Sequence, residues 1–458
     1  MKFKHLFTAF MSALAMATTA SAQFPLDLQD LFGRLDLQQQ PRTQEKAVTV
    51  DYNVDFHYFL DVRAFGASDD IFIESETINI ARVSPSAIIR FNQGNVATHR
   101  LALGIDLAKD MGANPTKAEI YSEREHDTSI SNTGLMKDIF FYYNYMRKTG
   151  RGQLGFYAGI HPRTVLQGSY SRAIFADEVI YTDPNIEGIT FQYSSPHIKL
   201  ELVGDLAGKK GVDRIGAQMA FTSFEYMPFK WVGIGLDGIY THVDGNYLYA
   251  ANVEFALANP YLKFDFAPLL GMQEFYVKGG GIGSYHNDHR LSAKDKETGE
   301  VLVERPRFPL GAEATVGIRH WGIGLEDTFY YGENQQVYYG SAYKSTTYAS
   351  KYADTLYQGE EFYFTRRSVP TWYNRAEVYW QPLDTGFLTA RVSAVGHFIT
   401  PAGSDPAPRV GPYVGLQAKA TLLFNLDAFR HPRESAPAVR RTREKRTQRS
   451  ADGPLFSL

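Results

Sequence analysis

Val48-Thr49-Val50-Asp51-Tyr52-Asn53-Val54-Asp55-Phe56-His57-Tyr58-Phe59-Leu60-Asp61-Val62-Arg63-Ala64 alternates without a break. Every even position is apolar, and every odd one except Phe59 is polar or charged. Successive side chains of a β-strand point to opposite faces, so this is a strand with one apolar and one polar face. It is longer than the roughly 5–6 residues usual in globular sheets.

The pattern recurs. Val414, Leu416, Ala418, Ala420, Leu422, Phe424 and Leu426 alternate with Gln417, Lys419, Thr421 and Asn425. Shorter runs at 198–206 and 388–398 interleave Lys199, Glu201 and Asp205, or Arg391 and His397, with apolar residues. A soluble sandwich would turn the apolar face inward, and a transmembrane barrel would turn it toward lipid. Connection lengths separate the two. Short breaks at 94–95, 148–152, 194–197, 227–230, 258–260, 320 and 381–385 alternate with longer connections. These cover 66–74, 110–136, 162–186, 207–213, 243–246, 277–308, 332–370 and 399–411. Tight turns on one side and long loops on the other are the mark of a membrane barrel. The expectation is an all-β transmembrane antiparallel β-barrel of about 16 strands, within a range of 14–18.

Composition agrees. The 458 residues include 29 Tyr, 31 Phe and 39 Gly but no Cys. Disulfide frameworks, Cys-ligated metals and thiol catalysis are thereby excluded. Residues 1–22 read as an export signal: Lys2 and Lys4, an apolar stretch Leu6–Ala17, and Ala20-Ser21-Ala22 as the cleavage site. Residues 23–45 read as an N-terminal periplasmic arm, 46–429 as the barrel, and 430–458 as a basic, disordered periplasmic tail. The signal carries +2 and the tail +5, which leaves −10 for the body out of a total of −3.

Trp231 and Trp321 follow short breaks and Trp380 precedes one, whereas Trp372 begins a strand at the other end. Tyr142, Tyr143, Tyr145, Tyr330 and Tyr331 also lie near strand ends, as in an aromatic girdle. The body as a whole resembles a Gram-negative outer-membrane barrel of porin size. Gly159-Ile160-His161-Pro162-Arg163 and Asp183-Pro184-Asn185-Ile186-Glu187-Gly188 are similar to segments of porin-like barrel families of uncharacterised function. The aromatic Phe429 resembles the end of a closing strand that carries the assembly signal, although 29 residues follow it. A TonB-dependent transporter fits less well, because 23–46 is too short for a plug domain.

The resemblance implies a location in the outer membrane and contact with its lipid and with barrel-assembly machinery; sixteen strands with polar inward residues are expected to leave an aqueous channel for passive diffusion of small hydrophilic solutes. The alternative is a non-transport barrel, an accessory of a secretion or assembly machine or a surface-binding protein. The predicted lumen-lining residues are Asp51, Asp55, His57, Asp61, Arg63, Arg100, Asp106, Lys199, Glu201, Asp205, Lys263, Asp265, Arg375, Glu377, Arg391, His397 and Lys419. The long connection 162–186 carries Val165, Leu166, Tyr170, Ile174 and Phe175, which a solvated loop does not need. It is expected to fold inward and narrow the pore, with Arg163, Arg172, Asp177 and Glu178 facing the channel. Asp51, Asp55, His57 and Asp61 share one face, but no nucleophile can be paired with them, so no enzyme is expected. His286-Asn287-Asp288-His289 reads as solvated loop polarity and not as a metal site. Gly279–Gly283 lacks the Lys-Ser/Thr of a phosphate loop. Neither metal nor cofactor is expected. The tail fits an anionic periplasmic polymer, and export gives it no nucleic-acid partner.

Overall fold

A computed structural model describes residues 47–65, 75, 77–94, 96–111, 135–176, 179–208, 216–244, 253–288, 306–335, 359, 370–385, 387–401, 413–426 and 429. The export signal, the arm and the basic tail lie outside them. Sixteen strands form one wall: β1 (Val48–Phe65), β2 (Thr77–Gln93), β3 (Ala97–Asp110), β4 (Leu135–Lys148), β5 (Gln153–Pro162), β6 (Asn185–Ser194), β7 (Ile198–Gly208) and β8 (Gly216–Phe229). β9 (Val232–Asp244), β10 (Val253–Asp265), β11 (Glu274–Asp288), β12 (Leu310–His320), β13 (Ile323–Gly332), β14 (Thr371–Thr385), β15 (Leu388–Pro401) and β16 (Tyr413–Asn425) complete it. Each strand pairs antiparallel with its sequence neighbours, and β1 pairs with β16, so the barrel is closed. Closure leaves no row of unpaired backbone groups, the condition for a sheet to stand in lipid.

The two faces divide as the alternation dictates. Val50, Leu103, Phe141, Ile189, Leu202, Ile234, Leu262, Leu325, Val378 and Val414 are exposed on the outer wall, while Asp61, Asn144, Thr190, Asp237 and Arg375 are fully buried inside. Among the described residues, charged side chains on the outer wall keep near strand ends, Asp327 excepted. It lies midway along β13, and its Oδ1 accepts from Asn374 Nδ2 at 2.6 Å. At the short-turn end Trp321 and Gly322 both take positive φ, 52° and 77°, in the two-residue turn between β12 and β13. Two positive φ values suit the twist of a tight hairpin. The strained one holds Trp321 out, three-quarters exposed.

Several expectations are corrected. Residues 258–260 are no turn. β10 runs through Pro260, and the turn comes at 266–273, around the short helix α2 (Ala267–Leu270). Pro260 is tolerated because its strand partner there is glycine-rich: a Cβ on Gly280 would lie 2.0 Å from the Pro260 carbonyl oxygen. Accordingly Gly279–Gly283 and His286-Asn287-Asp288 belong to β11, not to a loop, and His289 lies outside the described residues. Residues 381–385 extend β14 through a register shift between Trp380 and Leu383. Tyr142 and Tyr330 face the interior and are buried, so they take no part in a girdle. β16 ends at Asn425 rather than at Phe429. Phe429 lies beyond it, with its ring centroid 5.1 Å from Phe387 and 6.2 Å from Phe424.

Candidate functional site in the barrel interior

The inner face is not uniformly polar. Val203, Met219, Phe221, Ile239, Phe255, Leu257, Ile282 and Ile399 are inward and buried, and they form one apolar cluster with Tyr170, Ala173 and Ile174 of the connection between β5 and β6. This explains the apolar residues of that connection. The described residues of 163–184 fold into the barrel and bury them against a matching apolar stretch of wall.

Polar bonds hold the loop along its path. At its base Arg163 Nη2 reaches Asp205 at 2.7 Å and Asp183 at 2.5 Å, and Arg163 is almost wholly buried. Next comes Glu201 on β7. Its carboxylate accepts from Gln167 N at 2.6 Å, Gly168 N at 3.1 Å, Tyr170 Oη at 2.7 Å and Gln192 Nε2 at 2.7 Å. Burial, with the Glu201 charge beside it, pushes the Tyr170 hydroxyl well above its ordinary pKa, so it stays protonated and donates. The chain then crosses the interior. Lys278 on β11 donates to Ser169 O at 3.0 Å, pairs with Asp237 at 3.1 Å and lies 3.8 Å from the Tyr261 ring centroid. Ser171 Oγ donates to Glu313 at 3.0 Å. Arg172 ends the crossing at Glu326, 3.0 Å away, and Glu377, 3.6 Å away. The return limb passes through α1 (Val179–Thr182).

Arg172 meets a charged group on β13–β16. Glu377 receives Arg391 at 2.6 Å and Arg375 at 2.7 Å, and Lys419 is buried nearby. Four cations thus share Glu377 and Glu326. His397 shares hydrogen bonds with Tyr373 Oη at 3.0 Å and Gln417 Oε1 at 3.1 Å. Gln417 Nε2 donates to Asp61 at 2.7 Å, and Arg63 pairs with Asp61 at 2.9 Å.

The remaining predicted residues are scattered around the wall. Asp51 pairs with Arg90 at 3.3 Å. Asp55 accepts from Asn53 at 3.0 Å and from Asn425 across the seam between β1 and β16. His57 stands opposite Arg82 and is buried. Asp106 accepts from Ser84 and from Asn185 at 2.9 Å. Lys263 lies 4.0 Å from Glu225. Asp265 accepts from Ala267 N at 3.0 Å at the rim, and Lys199 is exposed. Arg100 is buried inside. Asp177 and Glu178 lie outside the described residues. Sequence reasoning missed the anchors Lys278, Asp237, Glu313 and Glu326. Lys278 fell within a supposed loop, and the alternating glycines of 233–238 blurred the face that carries Asp237. Among the described residues no group of three or more His, Asp or Glu is placed to hold a metal ion.

A closed wall of this strand number, apolar outside, with tight turns at one end and a loop folded within, has the architecture of a porin-size outer-membrane barrel. No family model and no curated protein matches the chain. Similar solved structures include OmpT, an outer membrane protein of Vibrio cholerae, with a TM-score of 0.42 and 8% identity over 83% of this chain and 99% of that one. Salmonella typhi OmpF in complex with daunomycin has a TM-score of 0.40 and 8% identity over 83% and 98%. Pseudomonas aeruginosa OccD3 has a TM-score of 0.39 and 8% identity over 85% and 94%. Likeness at this level carries nothing about substrate.

Proposed function

We propose that the chain is an outer-membrane channel for passive diffusion of small hydrophilic solutes, and that loop 163–184 sets its bore. The observation that supports this is the loop's course, bonded from Asp205 and Glu201 on one side to Glu313, Glu326 and Glu377 on the other. A loop held across the interior from wall to wall narrows whatever passage the barrel leaves. At the narrowing a solute meets Arg172 and Glu326, backed by the buried Arg375, Arg391, Lys419 and Glu377, so selectivity depends on a balance of both signs. The chemistry is passive, with no reacting group assigned.

Single-channel recording in planar bilayers tests both parts. Wild-type protein should conduct, and removal of residues 167–180 should raise its unitary current. A variant current equal to wild type would remove the loop from the bore. A folded wild-type barrel that never conducts would replace the channel with a non-transport barrel acting through partners.

A further inference from the structure

We infer that the inner wall around Arg100 is a binding site for one anion of carboxylate or phosphate type. Arg100 on β3 and Arg90 on β2 occupy directly opposed positions, and both side chains point inward. They are 4% and 6% exposed. Like charges opposed on neighbouring strands repel, and burial withdraws the water that would screen them. Asp51 pairs with Arg90, 3.3 Å from its Nη1. Arg100 has no hydrogen-bond or ion-pair partner among the described residues, and its Nε and Nη1 are both buried and unmatched. Leaving a buried charge uncompensated is strongly destabilising, so a wall that keeps one needs a counter-charge.

The neighbouring positions supply the rest of a site. Asn144, opposite Arg100 on β4, is fully buried; its Nδ2 donates to Phe156 O at 3.3 Å and its Oδ1 is unmatched. Thr49, opposite Arg90 on β1, also has a buried, unmatched Oγ1. The Arg100 guanidinium and the Thr49 hydroxyl are donors that suit carboxylate or phosphate oxygens. On the long-loop side this row is capped by Ile88, Ala102, Tyr142 and Val165, which cluster with Tyr157, the residue opposite Asn144. The apolar cap keeps the row apart from the charges around Arg172 and strengthens the attraction of an anion below it. The site lies toward the short-turn end, three residues from the start of β3 and three from the end of β2. It rests on the channel reading only for the route by which a solute arrives.

The test is isothermal titration of full-length, detergent-folded protein with inorganic phosphate and, separately, with acetate. One of the two should bind at one site per chain. Arg100→Gln should weaken that binding about tenfold or more, since a charge-assisted hydrogen bond is lost. Arg90→Gln should weaken it as well. Arg319→Gln, an interior cation on the far wall, should leave it unchanged. Heat-modifiable migration on gels checks that each variant folds. The site is overturned if wild type binds neither anion, if Arg100→Gln binds as well as wild type, or if Arg319→Gln weakens binding equally. Conductance separates this from the channel: a conducting barrel that binds no anion keeps the channel and loses the site. Binding without conductance does the reverse.

Discussion

Arg163 and Arg100 are both buried guanidiniums on the inside of one wall, and their removal should act with opposite signs. Arg163 neutralises Asp205 and Asp183 at the foot of the loop. Arg163→Leu would leave Asp205 buried without its counter-cation, held only by the Glu187 N–H at 2.9 Å, at a cost of about 3–5 kcal/mol. Arg100 has no such partner among the described residues. Arg100→Leu should therefore raise the thermal midpoint in buffer free of phosphate and carboxylate, because it removes an uncompensated charge. Thermal unfolding of both variants in the same detergent checks the pair. A lower midpoint for Arg100→Leu would mean that another group compensates this charge. Individual inward residues were legible where a charge interrupts apolar alternation, as at Asp61 or Arg391. Their partners were not, because Asp61 and Gln417 meet only across a seam that joins distant parts of the chain. Phe221 and Leu257 show the converse limit. An apolar residue on an inward position reads as noise until the loop that covers it is seen.

Among the elements, β1 was the most legible, since its period-two pattern runs nearly its whole length and nothing else fits it. Its outer face gives a direct check. Phe56 pairs with Val83 and Phe424 on the apolar side. Phe56→Arg should cost ~2–4 kcal/mol if it lies near the bilayer midplane, because lipid offers the cation no partner. Urea titration of folded protein in lipid vesicles would measure this, and an unchanged midpoint would argue against lipid on that face. β10 and β11 were least legible. Pro260 and the Gly279–Gly283 run are turn signals in most contexts. Here the glycines make room for the proline carbonyl, so two such signals on neighbouring strands accommodate each other. The inward fold of 163–184 could be anticipated from its apolar content. Which strands it reaches could not, since that depends on the register of the wall.

For the whole molecule, the end of β16 matters more than the end of the chain. The described wall is complete at Asn425, and Phe429 adds aromatic contacts to Phe387 and Phe424. Truncation after Phe429 should still give a heat-modifiable, membrane-inserted barrel. Truncation after Lys419 removes six residues of β16, exposes unpaired backbone on β1 and β15, and should give misfolded protein. Failure of the first truncation to insert would assign the assembly signal to the tail. The seam itself carries a consequence in time. Asp55 and Asn425, which bond across it, are 370 residues apart in the chain. No shorter piece of the chain can satisfy its own edges, so stability does not accumulate strand by strand as in a repeat protein. The contact that makes the structure tenable in lipid has the greatest sequence separation and can form only once the last strand exists. Commitment to the membrane is thus a late, single event, and until then the chain gains little from any part of the wall already made.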